Sequence, residues 1–276
     1  MQVARPWTLP AGPLGRLSAA SAARAARSRA DLPYEDQLAA ALSTPEAPGI
    51  LVALTSGVDV AVIAELKRSS PSRGEINGSL DTALQVRAYA DGGAAAFSIL
   101  TEPSEFGGAL DDLAVASALG IGPCIRKDFI TDAVQLVEAR RCGAAAALLI
   151  ARALPTEVLA ELVFTARLLG LEPLVEVRDE DELRDALDAG ALLIGVNNRD
   201  LETLELDTAV SAQLLPLVPI THIAIYESGV RTDQEVERAA SFGADAVLVG
   251  SSISASGKPS DAVAALTGVP RLRRRA

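Results

Sequence analysis

An acid and a base emerge together at the end of an apolar stretch near residue 65. Val62 and Ile63 are β-branched and apolar, which favours a strand that is covered on both faces. Because side chains alternate along a strand, Glu65 and Lys67 point to the same side. The sequence Ser-Ser-Pro-Ser-Arg-Gly that follows is typical of a turn. The pattern fits an exposed ion pair, but it also predicts a site at the carboxyl end of a parallel sheet or barrel.

Polar residues end several other apolar runs in the same way. Lys127 follows the run 124–126, Glu176 lies within the run 174–177, and Asn197 follows the run 192–196. A charged residue in one buried strand could be incidental, but polar groups at the same end of several strands predict a single site. Lysines and glutamates that share a cavity shift one another's pKa values. Such groups can act as a general acid and a general base near neutral pH.

Serine and glycine follow the last two apolar runs. The pairs Ser228-Gly229 and Gly250-Ser251 offer backbone N–H donors and allow a ligand to approach closely. Each glycine could instead serve a plain tight turn. In a barrel, however, a phosphate site is built from the loops after these two strands. The sequence therefore predicts phosphate binding at this position.

From residue 58 onward the chain repeats one unit, in which an apolar run is followed by a polar loop, an amphipathic helix and often a Gly-Ala pair. We predict strands at 60–66, 96–100, 124–126, 146–150, 174–177, 192–196, 220–225 and 246–249. We predict helices at 82–91, 110–119, 132–141, 156–169, 180–189, 208–215, 233–242 and 260–266. Asp81, Asp179 and Thr232 suit helix N-caps. The glycines of the Gly-Ala pairs suit left-handed C-caps, at positions 93, 143, 190 and 243.

Eight such units predict an α/β fold, a closed (β/α)8 TIM barrel with an N-terminal helical extension. An open doubly wound sheet is the alternative, but it would require a glycine-rich turn after the first strand. We predict a helical extension or lid over residues 1–57, a catalytic barrel over 58–270 and a solvated basic tail over 271–276. The self-contained repeat also predicts that the first 30 residues are dispensable for the barrel.

The first 30 residues are rich in arginine and alanine and contain no acid before Asp31. This composition favours a loose or frayed N-terminal helix, although transit peptides have a similar composition. A second helix is predicted over 34–42, followed by a linker over 43–49.

Composition excludes several classes of protein. A net charge of −11 argues against a general nucleic-acid binder, and no apolar run is long enough for a membrane span. Cys124 and Cys142 form neither a disulfide framework nor a zinc pattern, which is typical of buried thiols in a reducing, cytoplasmic compartment. The single histidine, His222, is placed near the start of the seventh strand, so neither a Ser-His-Asp triad nor a multi-histidine metal site is expected.

Six ordered motifs resemble those of the indole-3-glycerol phosphate synthase family, from about residue 60 to residue 252. They are Ala64-Glu65-Leu66-Lys67-Arg68 with Ser70-Pro71-Ser72, Leu100-Thr101-Glu102 with Phe106-Gly107-Gly108, Arg126-Lys127-Asp128-Phe129-Ile130, Leu174-Val175-Glu176-Val177, Asn197-Asn198-Arg199-Asp200-Leu201 and Glu227-Ser228-Gly229. The resemblance implies closure of an indole ring on a phosphorylated small-molecule substrate, with loss of carbon dioxide and water. It also implies that neither a metal nor an organic cofactor is needed.

The resemblance implies catalytic roles for residues at the strand ends. Lys127 would be the general acid, and Glu176 would act as acid or base in the dehydration. Lys67 would hold the anthranilate carboxylate and share the acid role in dehydration. Glu65 would position the lysines, and Asn197 would order the substrate hydroxyls.

The same resemblance implies a set of residues that hold the substrate. Phe106 would pack against the aromatic ring from a mobile loop. The remaining polar wall would consist of Arg199, Glu227 and the catalytic Ser228. The phosphate would be held by Ser70, Gly229, Gly250 and Ser251.

The sequence departs from the family pattern at three places. Ala109 stands where the family usually has serine, and Tyr226 stands where a small residue is common. No Pro-Arg-Phe-like element is found in the first 57 residues. A ribosylanthranilate isomerase would require a Cys–Asp pair at early strand ends, and a binding-only homologue would be expected to lose Lys127 or Glu176. We expect a monomer or a weak homodimer.

Overall fold

The computed structural model describes residues 7–272 and residue 274, and its centre is a closed barrel of eight parallel strands. In chain order the strands are β1 (Ala61–Leu66), β2 (Ala96–Leu100), β3 (Cys124–Lys127), β4 (Ala146–Ile150), β5 (Glu172–Val177), β6 (Leu193–Asn197), β7 (Ile223–Glu227) and β8 (Ala246–Val249). β1 pairs with β2 on one side and with β8 on the other, for example Ile63 with Ala96 and with Leu248. The closed ladder confirms the TIM barrel and excludes the open sheet.

Helices precede the first strand, connect each strand to the next and follow the last strand. They are α1 (Gly12–Asp31), α2 (Tyr34–Ser43), α3 (Ile50–Thr55), α4 (Thr82–Asp91), α5 (Leu110–Ala118), α6 (Ala133–Arg141), α7 (Thr156–Leu168), α8 (Glu180–Asp188), α9 (Ala209–Leu214), α10 (Asp233–Ser241), α11 (Ser251–Ser254) and α12 (Pro259–Ala264). Short 3₁₀ turns occupy Ala151–Ala153 and Leu215–Leu217, and Ser69–Ser70 pairs antiparallel with Gly74–Glu75. The predicted barrel elements agree closely with these bounds, whereas α3 and α11 were not predicted.

The seventh strand was predicted too early, at 220–225. Ile220 is exposed, and the His222 N–H donates to the Pro219 carbonyl at 2.9 Å, which closes a turn before the strand begins. β7 therefore begins at Ile223, and His222 lies at the amino end of the strand, as expected, away from the carboxyl ends.

The predicted helix caps are present in the structure. The Leu84 N–H donates to Asp81 Oδ1 and the Glu182 N–H to Asp179 Oδ1, each at 2.8 Å. Thr232 is the N-cap residue of α10. The four C-terminal glycines have φ values between 78° and 91°, a region that L side chains rarely adopt: Gly93, Gly143, Gly190 and Gly243. These residues end each helix where the next strand must start.

α1 confirms the predicted N-terminal helix, but it packs against loops at the carboxyl ends of the strands and is neither loose nor frayed. Leu14 and Leu17 are buried in the main apolar cluster. The Leu14 N–H donates to the carbonyl of Leu201, in the loop after β6, at 3.0 Å. Because the helix buries apolar side chains on the barrel, it belongs to the folded domain; whether it acts as a lid stays a prediction.

The basic tail was predicted to be solvated, and this is wrong for two of its arginines. Arg274 Nη1 lies 2.7 Å from Asp245 Oδ2, and only 5% of the Arg274 side chain is exposed. Arg271 Nη2 donates to the carbonyls of Leu54 and Asp59 at 2.8 and 3.0 Å. Of the other tail positions, Leu272 is exposed, whereas 273, 275 and 276 lie outside the described residues, as does Arg5.

The two cysteines are free, and Cys124 is buried. Burial raises the pKa of its thiol to about 11, so Cys124 remains a protonated packing residue at neutral pH. None of the helices formed by the described residues has the length and apolar character needed to cross a membrane.

Candidate active site

All predicted site residues line one cavity at the carboxyl ends of the strands. Its wall contains Glu65, Lys67, Ser70, Phe106, Lys127, Glu176, Asn197, Arg199, Glu227, Ser228, Gly229, Gly250 and Ser251. The cavity is also bordered by Pro13 and Leu17 of α1, which sequence reasoning did not connect with the site. Parallel strands in a barrel bring their carboxyl ends together, which explains why residues so far apart in sequence meet here.

Lys127 lies at the centre of a cluster of carboxylates. Its Nζ is 2.9 Å from Glu176 Oε2 and 3.0 Å from Glu227 Oε2. Burial by itself lowers the pKa of Lys127, but the carboxylates of Glu176, Glu227 and Glu65 outweigh burial and raise it. The ammonium group is therefore charged at neutral pH, which is the form that a general acid needs.

Glu227 titrates near neutral pH. Burial raises the pKa of its carboxyl to about 7, Lys127 opposes the rise, and the neighbouring Glu176 adds to it. The carboxyl has room because Gly195 faces it from β6: a Cβ on Gly195 would lie 2.1 Å from Glu227 Oε1. Any side chain at position 195 would thus displace an acid that contacts Lys127.

Asn197 joins the acid cluster to the loop after β7. Its Nδ2 donates to Glu176 Oε1 at 2.9 Å, and its Oδ1 accepts from Ser228 Oγ at 2.8 Å and from the Arg199 N–H at 2.9 Å. Ser228 has φ of 67°, a strained conformation for a residue with a side chain. The strain directs its hydroxyl into the site, so Glu176, Asn197 and Ser228 form one fixed chain of hydrogen bonds.

Glu65 forms an ion pair with Lys67 rather than with both lysines. The Lys67 ammonium also lies 5.9 Å from the centroid of the Phe106 ring, within the range of a cation–π contact. Phe106 in turn lies 6.0 Å from Phe129, centroid to centroid. Lys67 therefore stands between an acid and an aromatic wall, where a ligand with both a carboxylate and a ring could bind.

Gly250 makes room for Glu65. A Cβ at this position would lie 2.2 Å from Glu65 Oε1, because β8 is the neighbour of β1 in the closed ladder. Sequence reasoning assigned Gly250 to phosphate binding alone. A substitution here would disturb the acid of β1 as well, and so would not report on the phosphate by itself.

Three arginines lie at the side of the cavity that was predicted to hold phosphate. Burial lowers the pKa of Arg199, and the nearby charges of Arg73 and Arg231 lower it further. All three line the cavity together with Ser70, whose buried Oγ has no hydrogen-bond partner among the described residues. Sequence reasoning missed Arg73 and Arg231. Their closeness in sequence to predicted phosphate residues was the available signal.

Two of the departures from the family pattern lie outside the cavity. Ala109 is the N-cap of α5, where a serine could accept a hydrogen bond from the first turn, so the departure affects the start of that helix. Tyr226 is buried next to Glu227 in β7. Because neighbouring strand residues face opposite sides, Tyr226 points away from the cavity and does not crowd it.

Comparison with known proteins shows the family of this chain. A profile of the indole-3-glycerol phosphate synthase family matches residues 16–266. This chain belongs to that family. The match begins within α1, so the family pattern extends well before residue 60, where the recognisable motifs begin.

Curated relatives of the family are similar over most of their length. The indole-3-glycerol phosphate synthase of Mycolicibacterium vanbaalenii is 47% identical over 232 residues, covering 84% of this chain and 85% of the relative. Indole-3-glycerol phosphate synthase 1 of Streptomyces coelicolor is 45% identical, covering 85% of this chain and 87% of the relative. Among solved structures, 3-hexulose-6-phosphate synthase from Salmonella typhimurium has a TM-score of 0.61 at 15% identity. It covers 75% of this chain and 96% of its own and supports the fold alone.

Proposed function

We propose that this protein closes the indole ring of 1-(2-carboxyphenylamino)-1-deoxyribulose 5-phosphate to give indole-3-glycerol phosphate, with release of carbon dioxide and water. Membership of the family supports the reaction. The observation that carries the assignment to this site is the position of Lys127, held between Glu176 and Glu227 in the cavity that all predicted residues share.

The first chemical step forms a carbon–carbon bond. The ring carbon that bears the carboxylate attacks the carbonyl carbon of the sugar chain, and the carbonyl oxygen takes a proton from Lys127. The carboxylate then leaves as carbon dioxide, and the electron pair of the broken bond restores the aromatic ring. A charged ammonium group lowers the free energy of the negative charge that develops on the carbonyl oxygen.

The second step removes water. The new hydroxyl group leaves with a proton from an acid, and the pyrrole ring loses a proton to a base. Glu176 would take part in this exchange, and the contacts of its two oxygens with Lys127 and Asn197 support that role. Lys67 would share the acid role, since it lines the same cavity.

The substrate would be held by both of its anionic ends. Lys67 would bind the ring carboxylate, with Phe106 stacked against the ring. The phosphate would bind among Ser70, Gly229, Ser251 and the arginine cluster around Arg199. Fixing both ends would align the attacking carbon with the carbonyl group. Ideal intramolecular alignment lowers a reaction barrier by roughly 7–11 kcal/mol.

A fluorescence assay for indole-3-glycerol phosphate with the purified chain tests the function. Lys127→Ala should reduce kcat by at least about 100-fold, the usual scale for loss of a general acid. Lys258→Ala is the matched control, since Lys258 is exposed and its ion pair with Asp261 is a surface contact. If the wild-type protein forms no product, the proposed function is wrong. Near-normal turnover in Lys127→Ala would refute the role of Lys127 alone.

We also propose a monomer or weak homodimer that works in the cytoplasm. Two free thiols support a reducing compartment. Light scattering across a range of protein concentrations tests the oligomeric state, and a stable higher oligomer would contradict it.

A further inference from the structure

We infer that Arg24 of α1 is a positioning residue that holds two parts of the active site at once, the end of β3 that carries Lys127 and the loop that carries Phe106. The inference rests on the proposed function for its catalytic consequences. Arg24 does not line the cavity, so any effect on turnover must pass through its neighbours.

Arg24 bridges two buried carboxylates. Its Nη2 lies 2.7 Å from Asp128 Oδ1 and its Nη1 lies 3.6 Å from Glu102 Oε1. The side chains of Asp128 and Glu102 are 1% and 0% exposed, so neither charge is balanced by solvent. A guanidinium group can face two carboxylates with separate nitrogens, whereas a lysine ammonium is a single point of charge. This contact therefore depends on arginine.

Asp128 holds the end of β3. It accepts hydrogen bonds from Thr101 Oγ1 at 2.8 Å, from Arg126 Nη2 at 3.2 Å and from the Phe129 N–H at 2.8 Å. The preceding carbonyl, that of Lys127, accepts from the Thr101 N–H at 3.0 Å. The direction in which the Lys127 side chain leaves the strand is therefore set by the groups around Asp128.

Glu102 holds the loop after β2. Its Oε1 accepts from the Ser104 N–H at 2.9 Å, and its Oε2 accepts from the N–H groups of Glu105 and Phe106 at 2.8 and 3.2 Å. Three consecutive amides thus converge on one carboxylate, and this places Phe106 beside Lys67. Without a cation next to it, a buried Glu102 carboxylate loses the charge balance that keeps this loop folded.

α1 would stay docked without Arg24. Leu14 and Leu17 remain buried, and Arg29 Nη2 still contacts Asp132 Oδ1 at 2.6 Å. Arg29 is a matched control, because it lies on the same helix and also faces an acid between β3 and α6, Asp132. The side chains of Arg29 and Asp132 are 44% and 31% exposed, so this ion pair is much less buried than the contacts of Arg24 with Asp128 and Glu102.

The test compares Arg24→Ala and Arg24→Lys with Arg29→Ala. Arg24→Ala should lower kcat about 10- to 100-fold, the scale of a small misplacement of catalytic groups, and should raise KM several-fold. Arg24→Lys should fall between wild type and Arg24→Ala, and it remains informative if the alanine variant fails to fold. Arg29→Ala should change both constants by less than about twofold. In the Lys127→Ala background, Arg24→Ala should lower kcat by a smaller factor than in the wild-type background, because one of the two groups that it positions is absent, while the rise in KM through Phe106 should persist.

Amide hydrogen exchange supplies a readout that does not depend on turnover. The amides of residues 104–106 should exchange faster in both Arg24 variants and at the wild-type rate in Arg29→Ala. If the wild-type protein is inactive, the proposed function fails, while exchange still decides whether Arg24 orders the loop. Equal effects of the Arg24 and Arg29 variants on exchange, kcat and KM would overturn the inference.

Discussion

Replacing Glu227 with glutamine should change the pH dependence of folding stability in a definite direction. The pKa of Glu227 is raised from an ordinary value of 4.5 to about 7, chiefly by burial. A raised pKa means that the folded protein holds a proton that the unfolded chain releases. The stability contributed by this proton is fully present below about pH 4.5 and is lost as the pH rises towards and through 7.

The size of the effect follows from the same values. A rise of the pKa from 4.5 to about 7 corresponds to about 3 kcal/mol of stability lost between pH 5 and pH 8, as an upper limit. Glutamine is neutral throughout this range. The stability of Glu227→Gln relative to wild type should therefore increase by about 2–3 kcal/mol from pH 5 to pH 8. Lys127 remains charged in the variant because Glu176 still faces it.

Urea unfolding at pH 5 and at pH 8 measures this difference. At each pH, the free energy of unfolding of the variant is compared with that of the wild type. The test is the change in this difference from pH 5 to pH 8, in which the lost contact with Lys127 cancels. Glu237→Gln, an exposed position on α10, controls for the general effect of removing one negative charge. If the gap between Glu227→Gln and wild type is the same at both pH values, the buried-acid reasoning is wrong.

Two further predictions concern a glycine and the N-terminal helix. In steady-state assays, Gly250→Ala should lower kcat as well as raise KM, because the new Cβ would meet Glu65. Gly257→Ala is the control and should change neither constant, because a Cβ there would lie in open space. An effect of Gly250→Ala on KM alone would mean that Gly250 serves phosphate binding only. Deleting residues 1–31 should lower the thermal unfolding midpoint, since Leu14 and Leu17 each contribute about 1.5–3 kcal/mol by burial. An unchanged midpoint would support the sequence-based expectation that this segment is dispensable.

The features that the sequence predicted well are those with a local cause. Apolar runs and helix caps depend on neighbouring residues, so nearly all barrel elements could be placed from the pattern alone. Side-chain alternation put Glu65 and Lys67 on one face. Once eight strand–helix units indicated a barrel, the convergence of strand ends in one cavity followed from the topology.

The features that were missed depend on contacts between distant segments. Gly195 and Gly250 each make room for a glutamate on the neighbouring strand, and this becomes visible only when the register across the barrel is known. Arg24 pairs with Asp128, 104 residues later in the chain. An arginine in an alanine-rich helix carries no local signal that distinguishes such a contact from a solvated charge.

The charges in the cavity suggest how a substrate with two anionic groups would be oriented. The centre holds the carboxyl groups of Glu65, Glu176 and Glu227 beside the two ammonium groups of Lys67 and Lys127, so it has no excess of positive charge to attract a doubly charged phosphate. The arginine cluster consists of Arg73, Arg199 and Arg231; burial, and then repulsion from the other two arginines, lower the pKa of Arg199. A phosphate bound there would relieve this repulsion. On the proposed function, the phosphate would bind at the arginines, and the uncharged carbonyl group of the substrate would then meet Lys127.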